Sequence, residues 1–368
     1  MGEGPPAIRV LYVNHMDAPT GCVRSLRFLL ESLPPGSVEA HVISPPGPAD
    51  AFLRAAGVNV IPIPAVSLFQ NIAGIPVRGV RWLTVVRAFW NLRHGGVIRR
   101  AIRRLRPHLI HLNEHGMFQA ALLGRQAGIP VVMHVRAVAD RASAWQTRLA
   151  RSFFNRAVDL VVPIDDSVRH SLREIPHCRV IYNPVAARQI PPPRGNSRSD
   201  GVVRVSFLAG VQTFKGIWDL LEAARLLRDR KDIVFRIYGG NRWPDAFYRS
   251  PFGRACGILG VARNEVAEVR AWVERHGLAG TVQQMGHVES QGEIFEETDI
   301  LAFPSHLNGP GRSVFEAGIR GIPSVVALRD RVEDIVKDGA NGIIVPERDP
   351  AALAAAIRRL ADDPDLRR

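Results

Sequence analysis

A lysine, a glycine-broken loop and a glutamate in the second half of this chain have the types and spacing to hold a phosphate beside a diol. Lys215 closes the loop Gly210–Gly216 (GVQTFKG) where a helix begins, so its ammonium can neutralise a phosphate resting on the helix N-terminus. In FPSHLNGPGRSVFEAGIRGIP (303–323) an apolar run ends at Pro304-Ser305 and a loop containing Gly309 and Gly311 follows. A helix is predicted from Arg312-Ser313 to Gly321, with Pro323 as the stop signal beyond it. Free N–H groups at such a helix start suit a phosphate, and Glu316, one turn in, can accept bonds from two sugar hydroxyls. Read on its own, the same stretch is equally a capped loop with a surface glutamate. In the first half, His134 ends the run VVMHV with Arg136 just beyond, and His111, Asn113, Glu114 and His115 cluster at another run's end. Strand ends are where ligands bind in open α/β sheets, although a lone histidine is more often structural.

The elements that must position these residues come from a repeated rhythm. Short apolar runs at 8–13, 41–44, 58–63, 109–112, 131–135 and 160–163 alternate with stretches of helical spacing, such as Leu26, Leu29, Leu30 and Leu33. That alternation predicts a mostly parallel sheet covered on both faces. A proline-rich and polar stretch, 191–201 (PPPRGNSRSDG), reads as a linker, after which the pattern restarts. Strands are expected at 202–208, 233–238, 281–285, 299–303, 324–328 and 342–345, with Gly239-Gly240 as a turn. Two domains follow, 1–190 and 202–368, as the length of 368 residues also suggests. Neither half contains GxGxxG, which argues against a dinucleotide dehydrogenase. The segment around Trp243, Pro244, Phe247 and Tyr248 has no readable role.

Composition narrows the class further. A mean hydropathy of zero is a globular value, and three scattered cysteines propose neither a disulfide framework nor a zinc site. No apolar run is long enough to cross a bilayer, and the start MGEGPPAIRV lacks the regions of a signal peptide. A cytoplasmic location is therefore expected. Charge is unevenly placed: residues 1–190 hold 23 arginines against 11 acidic residues, whereas 191–368 hold 25 basic against 24 acidic. The asymmetry calls for a negative partner on the first half, and no nucleic-acid reading motif accompanies it. Within it, Val77–His108 carries nine arginines and no acid on an expected helix with Trp82, Phe89 and Trp90. That is the composition of an interfacial helix, so peripheral contact with an anionic inner membrane face is expected beside ordinary core packing.

Taken together, FLAGVQTFKGIWDLLEAARLL, IYGG, MGHVES, TDILAFPS, NGPGRSVFEAGIRGIPSVVA and DGANGIIVP resemble the C-terminal domain of retaining GT-B glycosyltransferases, glycosyltransferase family 4 (glycosyl transferases group 1). They follow the family's order through most of 202–346. VNHMDAPTGCVRSL, PHLIHLN, VVMHVR and VIYNPV resemble the N-terminal half more loosely. The resemblance implies an α/β fold of two Rossmann-like domains facing a central cleft, the first on the acceptor side. It implies a UDP- or GDP-sugar donor, no cofactor and no obligatory metal. Carried over by position, it implies that Lys215 contacts the donor diphosphate and Glu316 the ribose hydroxyls. The Gly309, Pro310, Gly311, Arg312 and Ser313 backbone would lie along phosphates and sugar, with the loop at Val288 meeting the base. His134 would sit near the sugar and leaving group, and Gly21 would approach the phosphates. Gly210 and Gly239 complete the implied donor set. Two departures stand out: Asn308 replaces the first glutamate of the usual pair eight positions apart, and Val211-Gln212 stand where an arginine is common. The implied activity is sugar transfer with retention to an anionic or lipid-linked saccharide acceptor in cell-surface polysaccharide or glycolipid assembly. A sugar-nucleotide epimerase and a non-catalytic nucleotide-sugar binder are the rivals.

Overall fold

The computed structural model describes residues 6–69, 81–136, 144–172, 175, 177–183, 200–241, 243–258, 262–286, 288, 291–307, 309–330 and 335–368. Contacts divide the chain into two compact units, Met1–Val185 and Ala186–Arg368. Residues 191–199 of the expected linker lie outside the described residues.

The first unit holds a six-stranded parallel sheet. Its strands are β1 (Ile8–Val13), β2 (Val38–Ser44), β3 (Asn59–Pro62), β4 (Leu109–Leu112), β5 (Val131–Val135) and β6 (Leu160–Pro163), in spatial order β3-β2-β1-β4-β5-β6. Alternate residues of β1 explain why its stretch Val10–Val13 is apolar without a break. Leu11 and Val13 pack with Ile110, Leu112 and Met133 on one face, while Val10 and Tyr12 pack with Val23, Leu26 and Val42 on the other. A strand buried on both faces has no solvent side on which to place polar residues.

The second unit repeats the plan with β7 (Val203–Leu208), β8 (Ile233–Tyr238), β9 (Val282–Gly286), β10 (Ile300–Phe303), β11 (Ser324–Ala327) and β12 (Gly342–Val345). Their order is β12-β11-β10-β7-β8-β9, again all parallel. Val205, Phe207, Ile300 and Ala302 face one core, and Leu301, Phe303 and Val326 the other. Fully buried Phe207 and Phe235 each contribute on the order of 2–3 kcal/mol of burial. In each sheet the order reverses at the first strand, between β1 and β4 and between β7 and β10. Loops leaving the carboxyl ends of such strand pairs diverge to opposite faces and leave a crevice for ligands.

The single helix expected over 77–108 is instead broken. A helix over Arg81–Asn91 passes through a 3-10 turn, Leu92–His94, into a second helix, Gly95–Leu105. Residues 77–80 lie outside the described residues. Gly95-Gly96 at the junction weaken a continuous helix at that point. The Trp243 segment forms two short helices, Asp245–Arg249 and Pro251–Ile258, and the Trp243 and Phe247 rings stack with centres 5.2 Å apart.

Candidate functional site

In the second unit, Lys215 and the Gly309–Ser313 stretch come from the two loops that flank the order reversal. Lys215 ends a 3-10 turn, Thr213–Lys215, rather than the plain loop-to-helix junction expected. Its loop and the helix that follows, Ile217–Leu226, are fastened to the loop after β10 in three ways. The His306 N–H donates to the Phe214 carbonyl (3.0 Å), His306 Nε2 contacts Asp219 (2.7 Å), and Gly216 lies against the Pro304 backbone. Gly216 holds φ +77°, and a Cβ there would stand 1.8 Å from the Pro304 carbonyl oxygen, so only glycine fits.

This fastening aims the Lys215 ammonium over two rings, 5.7 Å from the Phe214 centroid and 5.8 Å from that of Phe303. Burial pushes the Lys215 pKa down, and among the described residues no carboxylate lies within 4.0 Å of the ammonium. Gly311 packs on the same Phe303 ring, where a Cβ would sit 2.4 Å from the ring tip. Gly311 is also the N-cap of the helix Arg312–Ile319, which has no side-chain cap bond and no acidic residue in its first turn. A cation and a positive helix end therefore share one aromatic ring, an arrangement suited to an anion.

Glu316 was expected to project toward whatever the loop holds or, in the plainer reading, to be a surface glutamate. It is instead buried, 4 % exposed, and its Oε1 accepts from Arg312 Nε at 2.8 Å. Arg320 closes the turn by donating to the Glu316 carbonyl (2.9 Å). Pro310 and Ser313 are buried and Gly309 is half-buried. Gly210 follows β7, and a Cβ there would meet nothing nearer than Gln212 Oε1 at 3.5 Å. Gly239, at the end of β8, donates its N–H to Gly286 at the end of β9 (2.8 Å). Val288 is half-buried just beyond. Asn308 lies outside the described residues.

The first unit gathers its own polar cluster at the β1/β4 reversal. Gly21 starts the helix Gly21–Ser32, and Cys22 accepts from Asn113 Nδ2 through its carbonyl (3.1 Å). His134 is buried on β5, and its Nδ1 lies 2.6 Å from His111 Nε2 on neighbouring β4, with the rings stacked at 4.8 Å. Burial, then the Arg136 charge, holds His111 down to about 3; the same two causes, joined by His111, push His134 lower still. Both imidazoles are therefore neutral at ordinary pH, sharing one proton along their contact. Arg136 donates to Asn113 (Oδ1 2.9 Å) and Asn183 (Oδ1 2.7 Å). Glu114 accepts from His115 Nδ1 (2.5 Å) and from the Arg136 N–H (3.2 Å). Burial opposes its ionisation, but the charge and hydrogen bond of His115, with His15, outweigh it and hold Glu114 at about 2.

Two contacts were not anticipated. The Arg312–Glu316 pair carries a sequence signal, the i,i+4 spacing of opposite charges on a helix. The His111–His134 contact carries none, because it depends on which strands become neighbours and in what register. On the basic segment, Val86, Phe89 and Trp90 are exposed (50, 59 and 64 %), with the Arg93 guanidinium 4.2 Å from the Trp90 ring centre. Among the described residues no helix is long and apolar enough to cross a membrane.

Two parallel sheets with this repeated order define the GT-B fold, and solved structures agree. Anabaena HepE bound to UDP and glucose superposes with a TM-score of 0.71 at 18 % identity, covering 98 % of this chain and 91 % of that one. Sucrose-phosphate synthase from Thermosynechococcus elongatus gives 0.69 at 15 % identity over 98 and 91 %. Residues 196–368 match the family model for glycosyl transferases group 1, and residues 20–186 the glycosyl transferase 4-like domain. The chain belongs to this family of glycosyltransferases. Among curated relatives, glycogen synthase of Mycobacterium tuberculosis (strain ATCC 25618 / H37Rv) is 24 % identical over 301 residues, 75 % of this chain and 67 % of that protein. D-inositol 3-phosphate glycosyltransferase of Streptomyces coelicolor is 28 % identical over 228 residues, 55 and 46 % of the two chains. That of Geodermatophilus obscurus is 40 % identical over 72 residues, 20 % of this chain and 16 % of that one, so the chain spans under half the length of these two relatives.

Proposed function

We propose that the protein transfers a sugar from a nucleoside diphosphate sugar to an acceptor hydroxyl, retaining the anomeric configuration. The observation that carries this reading is the Lys215 ammonium, without a carboxylate partner among the described residues, and the open helix end meeting on the Phe303 ring, one helical turn from a buried carboxylate. As the bond from C1 to the departing oxygen breaks, negative charge grows on the diphosphate. Fixed positive groups aimed at that charge cost no reorganisation, and this is where the rate enhancement should reside. Glu316 has the acceptor oxygens for a ribose diol. His134, neutral and paired with His111, is assigned to the sugar and leaving group.

UDP or GDP is the nucleotide carried, and HepE, a fold neighbour, was crystallised with UDP-glucose. No metal is required in this reading, which activity in excess chelator tests. The acceptor is an anionic or lipid-linked saccharide of surface polysaccharide or glycolipid assembly, reached at the inner membrane face through Phe89, Trp90 and the surrounding arginines. Replacing Lys215 by Ala should lower donor-dependent transfer about 10²-fold, the scale of one lost oxyanion contact. Unchanged turnover removes Lys215 from the chemistry. Conversion of donor without acceptor would point to an epimerase, and donor binding with no transfer to any acceptor pool to a binding protein.

A further inference from the structure

We propose that His306 is the positioning residue for the Lys215 ammonium, holding it where the donor diphosphate gains charge. The role rests on the donor site proposed above and deepens it: Lys215 touches the diphosphate, whereas His306 acts through Lys215 and touches no reacting atom.

A lysine ammonium rides on a flexible stem, so its backbone and the surfaces under its tip decide where the charge sits. Those surfaces are the Phe214 and Phe303 rings, at 5.7 and 5.8 Å. Both distances lie just inside the roughly 6 Å over which a ring attracts a cation, so a small shift of either loop loses a contact. The two rings come from different stretches of chain, and His306 joins them. It lies three residues beyond Phe303, and its backbone N–H donates to the Phe214 carbonyl (3.0 Å). Its side chain meets Asp219, so it grips the chain one residue before Lys215 and again four residues after it. Asp219 stands in the first turn of its helix, where a carboxylate is favoured. The loop has a second anchor, from the Thr213 N–H and hydroxyl to Glu265 Oε1 (2.7 and 2.5 Å), but those bonds are exposed. The His306 and Asp219 side chains are only 12 and 15 % exposed, and a contact sheltered from water holds its geometry more firmly.

Calorimetry on the full chain, in a double-mutant cycle of His306→Ala with Lys215→Ala, tests this role. The ligands are UDP and uridine, or GDP and guanosine if the parent prefers them. His306→Ala alone should weaken the diphosphate about tenfold and leave the nucleoside within about twofold. On the Lys215→Ala background the same change should move the diphosphate affinity by no more than about twofold, because the group it positions is gone. His306→Gln, whose amide can still reach Asp219, should restore most of the affinity. Should His306→Ala fail to fold, the cycle is run with Asp219→Asn, which weakens the pair without removing a side chain; a coupling of about threefold is then expected. No loss in the His306 variant, equal losses with and without Lys215, or parallel losses for diphosphate and nucleoside overturn the proposal and leave His306 a plain structural staple. If the parent binds neither UDP nor GDP, or Lys215→Ala keeps full affinity, the donor-site reading itself fails and takes this role with it, a result distinct from those three.

Discussion

Replacing Gly216 by Ala is the most direct probe of how the candidate site is held. The backbone there has φ +77°, where an alanine costs about 1–2 kcal/mol relative to glycine. The added methyl would lie 1.8 Å from the Pro304 carbonyl oxygen and 2.6 Å from its carbon, against the 3.4 Å at which ordinary contact begins. Neither atom belongs to a flexible side chain, so the two loops must separate, at a further cost of about 1–3 kcal/mol typical of overpacking. The total, about 2–5 kcal/mol, is a large share of the stability of an ordinary domain. Separation also carries Lys215 away from the Phe303 ring, and a misplacement on the order of an ångström costs about 10²-fold in rate. Urea denaturation and UDP calorimetry on Gly216→Ala should show both losses. Gly210→Ala is the control: its nearest neighbour is 3.5 Å away, an ordinary contact, so stability should hold, and any lost affinity reports ligand approach. If Gly216→Ala stays within about 0.5 kcal/mol of the parent and binds UDP equally well, the loops are not coupled as described.

Three further outcomes are expected. His111 and His134 stay neutral when folded but take up protons near pH 6.5 when unfolded, so the unfolded state binds more protons below that pH. Stability should therefore decline as pH falls from about 6.5 towards the folded His111 value of about 3, by up to about 1.4 kcal/mol per pH unit for each ring. Glu114, depressed to about 2, adds its own loss only between its unfolded value near 4.5 and that point. Urea midpoints that do not move between neutral pH and about pH 5 contradict the buried neutral pair, and His111→Asn should flatten the decline. Replacing exposed Phe89 and Trp90 by Ser should cut flotation with anionic vesicles about tenfold and leave melting within about 0.5 kcal/mol; equal flotation removes this helix from membrane contact. Gly239→Ala, with φ +152° and a methyl 2.0 Å from the Ala209 carbonyl oxygen, should destabilise by about 2–4 kcal/mol in denaturation, and a neutral result refutes the close β7–β8 approach.

Much of the scaffold was legible because a parallel strand covered on both faces leaves a mostly apolar run, even where Arg9, His111 or His134 interrupts it. Ile8–Val13, Leu109–Leu112, Val131–Val135 and Gly342–Val345 needed no more than that. The start of β2, Val38–Ala40, escaped because it lies partly exposed and includes Glu39, which a core criterion rejects. Lys215 and the helix start at Arg312 could be read from local glycine and capping signals. That they share the Phe303 ring follows from the pairing of β7 with β10, which no local pattern states. Glu316 shows the opposite difficulty: its position was legible, but its burial against Arg312 depends on how the helix is packed. The interruption at Leu92–His94 was signalled by Gly95-Gly96, masked by the arginine-rich periodicity on either side.

The strand order has a consequence for how the protein is made. Val10 of β1 must find Leu109 of β4, and Val205 of β7 must find Ile300 of β10. A ribosome adding about 5–20 residues per second leaves each central strand waiting for several seconds with one edge uncovered. The two crevices are thus among the later features of each unit to close during synthesis. Variants that delay that closure, rather than those that weaken the finished fold, are the ones most exposed to loss by aggregation.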